Sequence, residues 1–243
     1  MHTSPSFLYA IDSGNSSAKY SIWDIENQTW IATHKALDDL NINSIPPSAQ
    51  LVYSGVGSSL PAILSQWPTV PLEINADIHI PFQTRYDRAQ IGSDRIAGLA
   101  GAFARNPNCD ALIIDAGTCI TFDVLSQKQG HLGGVISPGL RMRSQAMHEF
   151  TGKLPLIQHT PIKPKTEAPY PTNTKDALAK GAFQGWTDEI QAEIDRFLQQ
   201  FPEGLVYLCG GDASHFEAKA KNRIFAAPLL VFEGMVYLWT WNR

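Results

Sequence analysis

Cysteine is scarce in this chain. Three are present, Cys109, Cys119 and Cys209, an odd count without regular spacing, which excludes a disulfide framework. No Cys-x-x-Cys or Cys/His pair has zinc spacing, so a zinc centre of that kind is excluded too. Reduced thiols are expected, as in a cytoplasm. Charge is modest: 17% of residues are charged, 19 basic against 23 acidic, for a net charge of -4. A small acidic excess argues against a dedicated nucleic-acid binder. The basic residues are scattered, with Lys163, Lys165 and Lys175 the nearest to a cluster. Long apolar runs are missing as well. The longest, Ala226 to Trp239, is interrupted by Glu233 and Gly234 and falls short of the roughly 20 residues a bilayer span takes. Met1 to Phe7 has no basic stretch followed by an apolar run, so no signal peptide is expected. The expectation is a soluble, cytoplasmic protein that engages neither membrane nor nucleic acid.

What is present is a sizeable core. The 243 residues are 44% hydrophobic, enough for one large domain or two small ones. Phe7 to Asp12 reads as a buried strand, Ser13 to Ser16 as a turn, and Lys19 to Asp24 as the returning strand of a hairpin. Trp30 to Thr33 and Leu51 to Ser54 add strands. Ser58 or Ser59 can cap a helix running to about Trp67, with Pro61 in its first turn. After a polar loop from Pro81 to Gly92, Ser93-Asp94 opens a helix that Asn106-Pro107 ends. The second half begins like the first: strand Ala111 to Asp115, turn Ala116 to Thr118, strand Ile120 to Leu125, strand Gly130 to Ile136. Pro138-Gly139 leads into a helix through about Phe150. Thr151 to Pro171 holds five prolines and reads as a loop. Asn173 or Thr174 caps a long helix with Leu178, Ala182, Phe183, Trp186, Ile190, Ile194 and Phe197 at helical spacing. Gly204 to Cys209 is a strand, Gly210-Gly211 a tight turn, and Asp212-Ala213 the start of a helix. Leu229 to Trp241 packs on the core as helix or strand. Strand–turn–strand–strand–helix thus occurs roughly twice, with lobes expected at residues 1–110 and 111–243.

Four segments carry chemistry. In Asp12-Ser-Gly-Asn-Ser-Ser-Ala-Lys19, an Asp ends a buried strand where the core stops. Gly14 and the small Ser13, Ser16 and Ser17 let backbone N–H groups approach an anion, and Lys19 adds positive charge. An ordinary Asx turn has similar weight for this segment alone. The Gly-x-x-x-x-Gly-Lys-[Ser/Thr] phosphate loop is absent, so that fold is not supported. Asp115-Ala-Gly-Thr-Cys-Ile-Thr-Phe-Asp123 repeats the strand–Asp–x–Gly–polar logic. Two such hairpins imply two related lobes, each gripping one end of a triphosphate, with carboxylates holding a cation. Gly210-Gly-Asp-Ala213 follows a buried strand; alone it reads as a simple strand-to-helix turn, and after two phosphate hairpins it is the expected place for a nucleoside. Gly92-Ser-Asp-Arg95 opens a helix whose free N–H groups favour anions. A plain helix cap by Ser93 or Asp94 is a strong competing reading, but phosphoryl transfer needs a carboxylate to orient the attacking hydroxyl and a cation to steady the moving charge, and Asp94 and Arg95 can supply both.

In this order the segments resemble the acetate and sugar kinase/heat-shock chaperone/actin superfamily and, more narrowly, the type III pantothenate kinase family. The matching text is Asp12-x-Gly-Asn-Ser-x-x-Lys19, Tyr86 with Gly92-x-Asp-Arg95, Asp115-x-Gly-Thr-x-x-Thr-x-Asp123, Gly133-Gly-x-Ile-x-Pro-Gly139, Asn173-Thr174 with Gly181, and Gly210-Gly-Asp-Ala213. The resemblance implies an α/β fold of two similar ribonuclease H-like lobes, each a mixed sheet flanked by helices, with a nucleotide cleft between them. It implies that Asp12, Ser13, Gly14, Asn15, Ser16, Ser17, Ala18, Lys19 and Thr118 bind ATP, with Asp12 near magnesium. Asp115 is implied to hold a monovalent cation, potassium or ammonium. Asp94 is the implied catalytic base, and Tyr86, Gly92, Ser93, Asp94, Arg95 and Thr174 shape the pantothenate site. Arg95 faces either the carboxylate of pantothenate or the transferring phosphoryl group. Members are homodimers whose pantothenate pocket draws on both subunits; the helix from Asn173 and the segment Pro138 to Phe150 are the expected dimer surface. Ser93 departs from the family's usual Ala, a small change compatible with a helix start, and Cys119 reads as packing. Two rivals stand beside this reading: another small-molecule kinase or phosphohydrolase of the same fold, and an ATP-sensing regulator without catalysis.

Overall fold

A computed structural model describes residues 6–14, 17–55, 60–157, 168–216 and 223–243. Strands Phe7–Ser13 (β1), Ala18–Asp24 (β2), Thr29–Ala36 (β3), Gln50–Gly55 (β4) and Leu72–Glu73 (β5) form one sheet. Helices Leu60–Leu64 (α1) and Ser93–Arg105 (α2) accompany it. A second sheet contains Ala111–Ala116 (β6), Cys119–Ser126 (β7), Gly130–Pro138 (β8), Leu205–Cys209 (β9) and Ile224–Ala226 (β10). Its helices are Leu140–Glu149 (α3) and Thr174–Gln200 (α4), and Leu230–Trp241 (α5) ends the chain. The first sheet runs β3-β2-β1-β4-β5 and the second, read from its other edge, β8-β7-β6-β9-β10. Raising every strand number by five turns one order into the other. The doubled mixed-sheet architecture expected from the paired Asp-x-Gly hairpins is therefore the architecture observed.

The chain divides into two compact units, Met1–Asn108 with Leu125–Gly133 and Leu229–Arg243, and Cys109–Val124 with Gly134–Pro228. In the first, β1 is apolar at every position from Phe7 to Ile11 because both sheet faces are covered. Leu8 and Ala10 pack with Ile96, Ala97 and Ala100 of α2 and Phe232, Met235 and Leu238 of α5. Tyr9 and Ile11, pointing the other way, pack with Leu60, Ile63 and Trp67. In the second unit α4 supplies the stripe. Ala182, Trp186, Ile190, Ile194 and Phe197 join Leu112, Ile114, Val206 and Leu208 of the sheet. The start of α4 is fixed as the sequence predicts: Asn173 is its N-cap and accepts the Asp176 N–H at 3.0 Å, satisfying one of the four free donors of a helix start.

The differences from expectation are local. Strands β5 and β10 were not anticipated, since two and three residues are too few for an alternating pattern to show. After Gly210-Gly211 the described chain makes only a single 3₁₀ turn, Ala213–His215, where a helix was expected; Phe216 turns extended and ends it. Helix α2 takes Gly92 as N-cap, which has no side chain to bond with; Ser93 is its first residue, and its hydroxyl accepts from Ser54. Ser58 and Ser59, the expected helix caps, and the centre of the loop between α3 and α4 lie outside the described residues. Among the described residues no helix is long and apolar enough to cross a membrane.

Candidate active site

In the first unit, Asp12 stands next to the end of β1, flanked across the sheet by Lys19 on β2 and Ser54 on β4. Behind it the Gly14 N–H donates to the Ser17 carbonyl at 3.1 Å, closing the hairpin; Asn15 and Ser16 lie outside the described residues. Gly55, at φ +111°, lets β4 run tight against β1, since a Cβ there would fall 2.0 Å from the Ser13 carbonyl oxygen. Ser13 is buried, and its hydroxyl has no partner among the described residues. Gly14 and Ser17 are exposed, Ala18 and Lys19 partly buried. The buried Ser54 hydroxyl donates to Ser93 Oγ at 3.0 Å, pinning the first residue of α2 to the strand beside Asp12.

Helix α2 then presents Asp94 and Arg95 from its first turn. Asp94 is exposed and its Oδ1 accepts the Arg95 N–H at 2.8 Å. Gly92 makes that pose possible, because a Cβ at 92 would lie 2.4 Å from Asp94 Oδ1. Arg95 is buried, with its guanidinium carbon 4.8 Å from the centre of the Tyr86 ring, within range of a cation–π attraction. Burial, and next the like charge of Asp94, push the Asp12 carboxyl from its ordinary 3.8 up to about 6; Lys19 and the Ser54 hydroxyl pull the other way. Asp12 and Asp94, 82 residues apart in sequence, are thus electrostatic neighbours, and the field between them favours a cation.

In the second unit Asp115 stands next to the end of β6, partly buried beside Cys209 of β9. Two glycines clear space around its carboxylate. A Cβ on Gly210, which sits at φ +93°, would come within 2.4 Å of Asp115 Oδ1, and one on Gly117 within 3.3 Å. The Asp212 N–H donates to the Ala116 carbonyl at 2.9 Å, and burial raises the Asp212 carboxyl, with His215 opposing. Gly139 closes on the same hairpin, donating to the Thr118 carbonyl at 3.1 Å; a Cβ there would lie 2.3 Å from the Gly117 carbonyl oxygen. Thr118 is exposed at the turn, and Thr174 is exposed as the first residue of α4. So the structure gathers Asp115, Gly117, Thr118, Gly139 and Gly210 from three sequence segments into one cradle. Tyr86, Gly92, Ser93, Asp94 and Arg95 join Asp12 in the first unit.

Sequence reasoning missed Ser54 and His131. Ser54 ended an apparently ordinary buried strand, and only the register of β4 on β1 places it beside Asp12. His131 stacks on Tyr86, yet a lone histidine in a strand gives no pattern. Among the described residues no group of three or more His, Cys, Asp or Glu side chains is placed to hold a metal ion.

The model of the type III pantothenate kinase family matches residues 8–196. A type III pantothenate kinase of Porphyromonas gingivalis strain W83 is 34% identical over 247 residues, covering 98% of this chain and 99% of the relative. One from Phocaeicola vulgatus is 33% identical over 240 residues, covering 96% and 97%. Among solved structures, a protein described as a Baf family transcriptional activator from Campylobacter jejuni superposes with a TM-score of 0.60 at 25% identity, covering 96% of this chain and 98% of that one. A protein described as an N-acetylmannosamine kinase from Listeria monocytogenes, 12% identical with a TM-score of 0.54, covers 97% and 99% and shares the fold. With the motifs, the twice-built sheet and near full-length likeness in agreement, the chain belongs to the type III pantothenate kinase family.

Proposed function

We propose that this chain transfers the γ-phosphoryl group of ATP to pantothenate with Asp94 as the base. The reaction comes with family membership: a type III pantothenate kinase makes 4′-phosphopantothenate, at the first step of coenzyme A biosynthesis. The assignment of the base rests on one observation, the exposed Asp94 carboxylate held at a helix start and electrostatically coupled to Asp12. Asp94 Oδ1 already accepts the Arg95 N–H, which leaves the other oxygen to take the hydroxyl proton of pantothenate. Phosphoryl transfer asks the protein mainly for positioning and charge. Lys19 and the backbone of the Asp12 to Lys19 hairpin would take the triphosphate, and Thr118 would contact ATP. Asp12 would hold magnesium, whose charge relieves the burial and repulsion that raise its carboxyl, and Asp115 would hold potassium or ammonium in the space that Gly117 and Gly210 keep open. Bound there, the cations supply positive charge to the phosphates. Arg95, stacked on Tyr86, would face the carboxylate of pantothenate. Thr174 would reach pantothenate across a homodimer.

The test has two parts. Protein, ATP, magnesium, potassium and pantothenate should yield 4′-phosphopantothenate by mass spectrometry. No product, with ADP release on another alcohol, would overturn the substrate. Asp94→Asn should bind both substrates near normally and lose roughly 10²–10⁴-fold in kcat, the usual share of a general base. A near-wild-type rate would remove Asp94 from that role.

A further inference from the structure

The 83–86 segment and the start of β8 hold one another. The His131 N–H donates to the Gln83 carbonyl at 2.7 Å, and the Arg85 N–H to the His131 carbonyl at 3.2 Å, making an isolated parallel bridge at Thr84 and His131. Gly130 permits the approach. It sits at φ +72°, and a Cβ there would lie 2.2 Å from the Gln83 carbonyl oxygen. The side chains continue the link. Thr84 Oγ1 lies 2.8 Å from His131 Nδ1 and accepts the Tyr86 N–H at 3.0 Å. The His131 ring is nearly parallel to that of Tyr86, with centroids 5.8 Å apart and planes at 18°. Tyr86 in turn lies under the guanidinium of Arg95, whose neighbour in sequence is Asp94.

His131 has no exposed surface. A purely apolar residue would fill such a place without a polar group to satisfy. What the imidazole adds is a flat face for Tyr86 and a nitrogen for Thr84. One residue thereby fixes both the ring of Tyr86 and, through Thr84, its backbone. We infer that His131 is a positioning residue for the substrate: it holds Tyr86, and with it Arg95, in the pose that receives pantothenate. The inference rests on the assignment of Tyr86 and Arg95 to the pantothenate site.

Steady-state kinetics of the full chain test it. His131→Leu removes face and nitrogen together and should raise the KM for pantothenate roughly tenfold, the equivalent of one buried aromatic pair. The KM for ATP should stay within about twofold. His131→Phe keeps the face and loses the nitrogen, so its KM for pantothenate should rise only about threefold; it serves also if His131→Leu fails to fold. Because His131 acts through Tyr86, adding His131→Leu to Tyr86→Leu should cost little beyond Tyr86→Leu alone. An unmoved KM for pantothenate, equal rises in both KM values, or fully additive effects would overturn the inference. A wild type that neither binds nor phosphorylates pantothenate would instead bring down the underlying substrate assignment, and the inference with it.

Discussion

Asp12 carries the largest electrostatic cost visible in the first unit. Its folded pKa is raised from 3.8 to about 6, chiefly by burial and then by Asp94. For an acid, a raised folded value means that the native state binds the extra proton. Stability therefore falls as pH rises from about 4 through about 6, and the full cost is present above 6. Two units correspond to at most about 3 kcal/mol, net of what Lys19 and Ser54 recover. Asp12→Asn should accordingly stabilise the metal-free protein at pH 7.5 and do little at pH 4. Chemical denaturation in a chelator across that range reads the difference; a variant that is less stable at pH 7.5 would contradict it. Magnesium with ATP should stabilise the wild type more than the variant, since only the wild type has the carboxylate to neutralise.

At the scale of elements, the position of α2 decides where Asp94 stands, and α5 sets that position. The two helices touch backbone to backbone. A Cβ on Gly234 would lie 1.8 Å from the Ala97 carbonyl oxygen, and one on Gly101 would lie 2.2 Å from that of Leu230. Arg105 ties the pair with two bonds to Glu233, at 2.6 and 2.8 Å. Alanine in a helix is ordinarily worth up to about 1 kcal/mol over glycine. Here it must push α5 from α2, and overpacking costs about 1–3 kcal/mol or more. Gly234→Ala should lower Tm by roughly 4–8 °C, as about 2 kcal/mol does in a chain of this size, and should reduce kcat because α2 moves Asp94. A Tm unchanged or raised would show that the helices separate freely. This contact also marks the limit of what the residues reveal by themselves. The strands β1 and β6 and their Asp-x-Gly turns are legible because apolar runs ending on an acid are local patterns. Asn173 as N-cap is legible for the same reason. Gly234 reads only as an interruption in an apolar run, because its neighbour Ala97 is 137 positions away. His131 and Ser54 are opaque for that reason too: tertiary pairing, and no local signal, gives them their place.

At the scale of the whole molecule, the second unit exposes apolar surface that its own core does not use. Val135 and Ile136 are exposed on β8, the edge strand of its sheet, as are Met142 on α3 and Phe150, the C-cap that follows it. Val135 and Ile136 are consecutive and so point to opposite faces, which means that this part of the strand is uncovered on both. Phe150, just past the end of α3, is 86% exposed. Arg143 links α3 to α4 through Glu189 and bonds the Pro138 carbonyl and Ser137 Oγ at 2.9 and 3.1 Å, so β8, α3 and α4 present this surface together. An unprotected apolar edge of this kind invites pairing with another chain, and a homodimer through β8 and α3 is the proposed occupant. Ile136→Lys places a charge on that edge at little cost to the core, since Ile136 is 57% exposed. Wild type should sediment as a dimer at micromolar concentration. Ile136→Lys should weaken the dimer roughly 30-fold or more, the effect of losing about 2 kcal/mol at one central residue. If Thr174 completes the pantothenate pocket across that dimer, the monomeric variant should show a raised KM for pantothenate while ATP affinity holds. A wild-type monomer would remove the dimer, and a monomeric variant with unchanged pantothenate kinetics would place the pocket within a single chain.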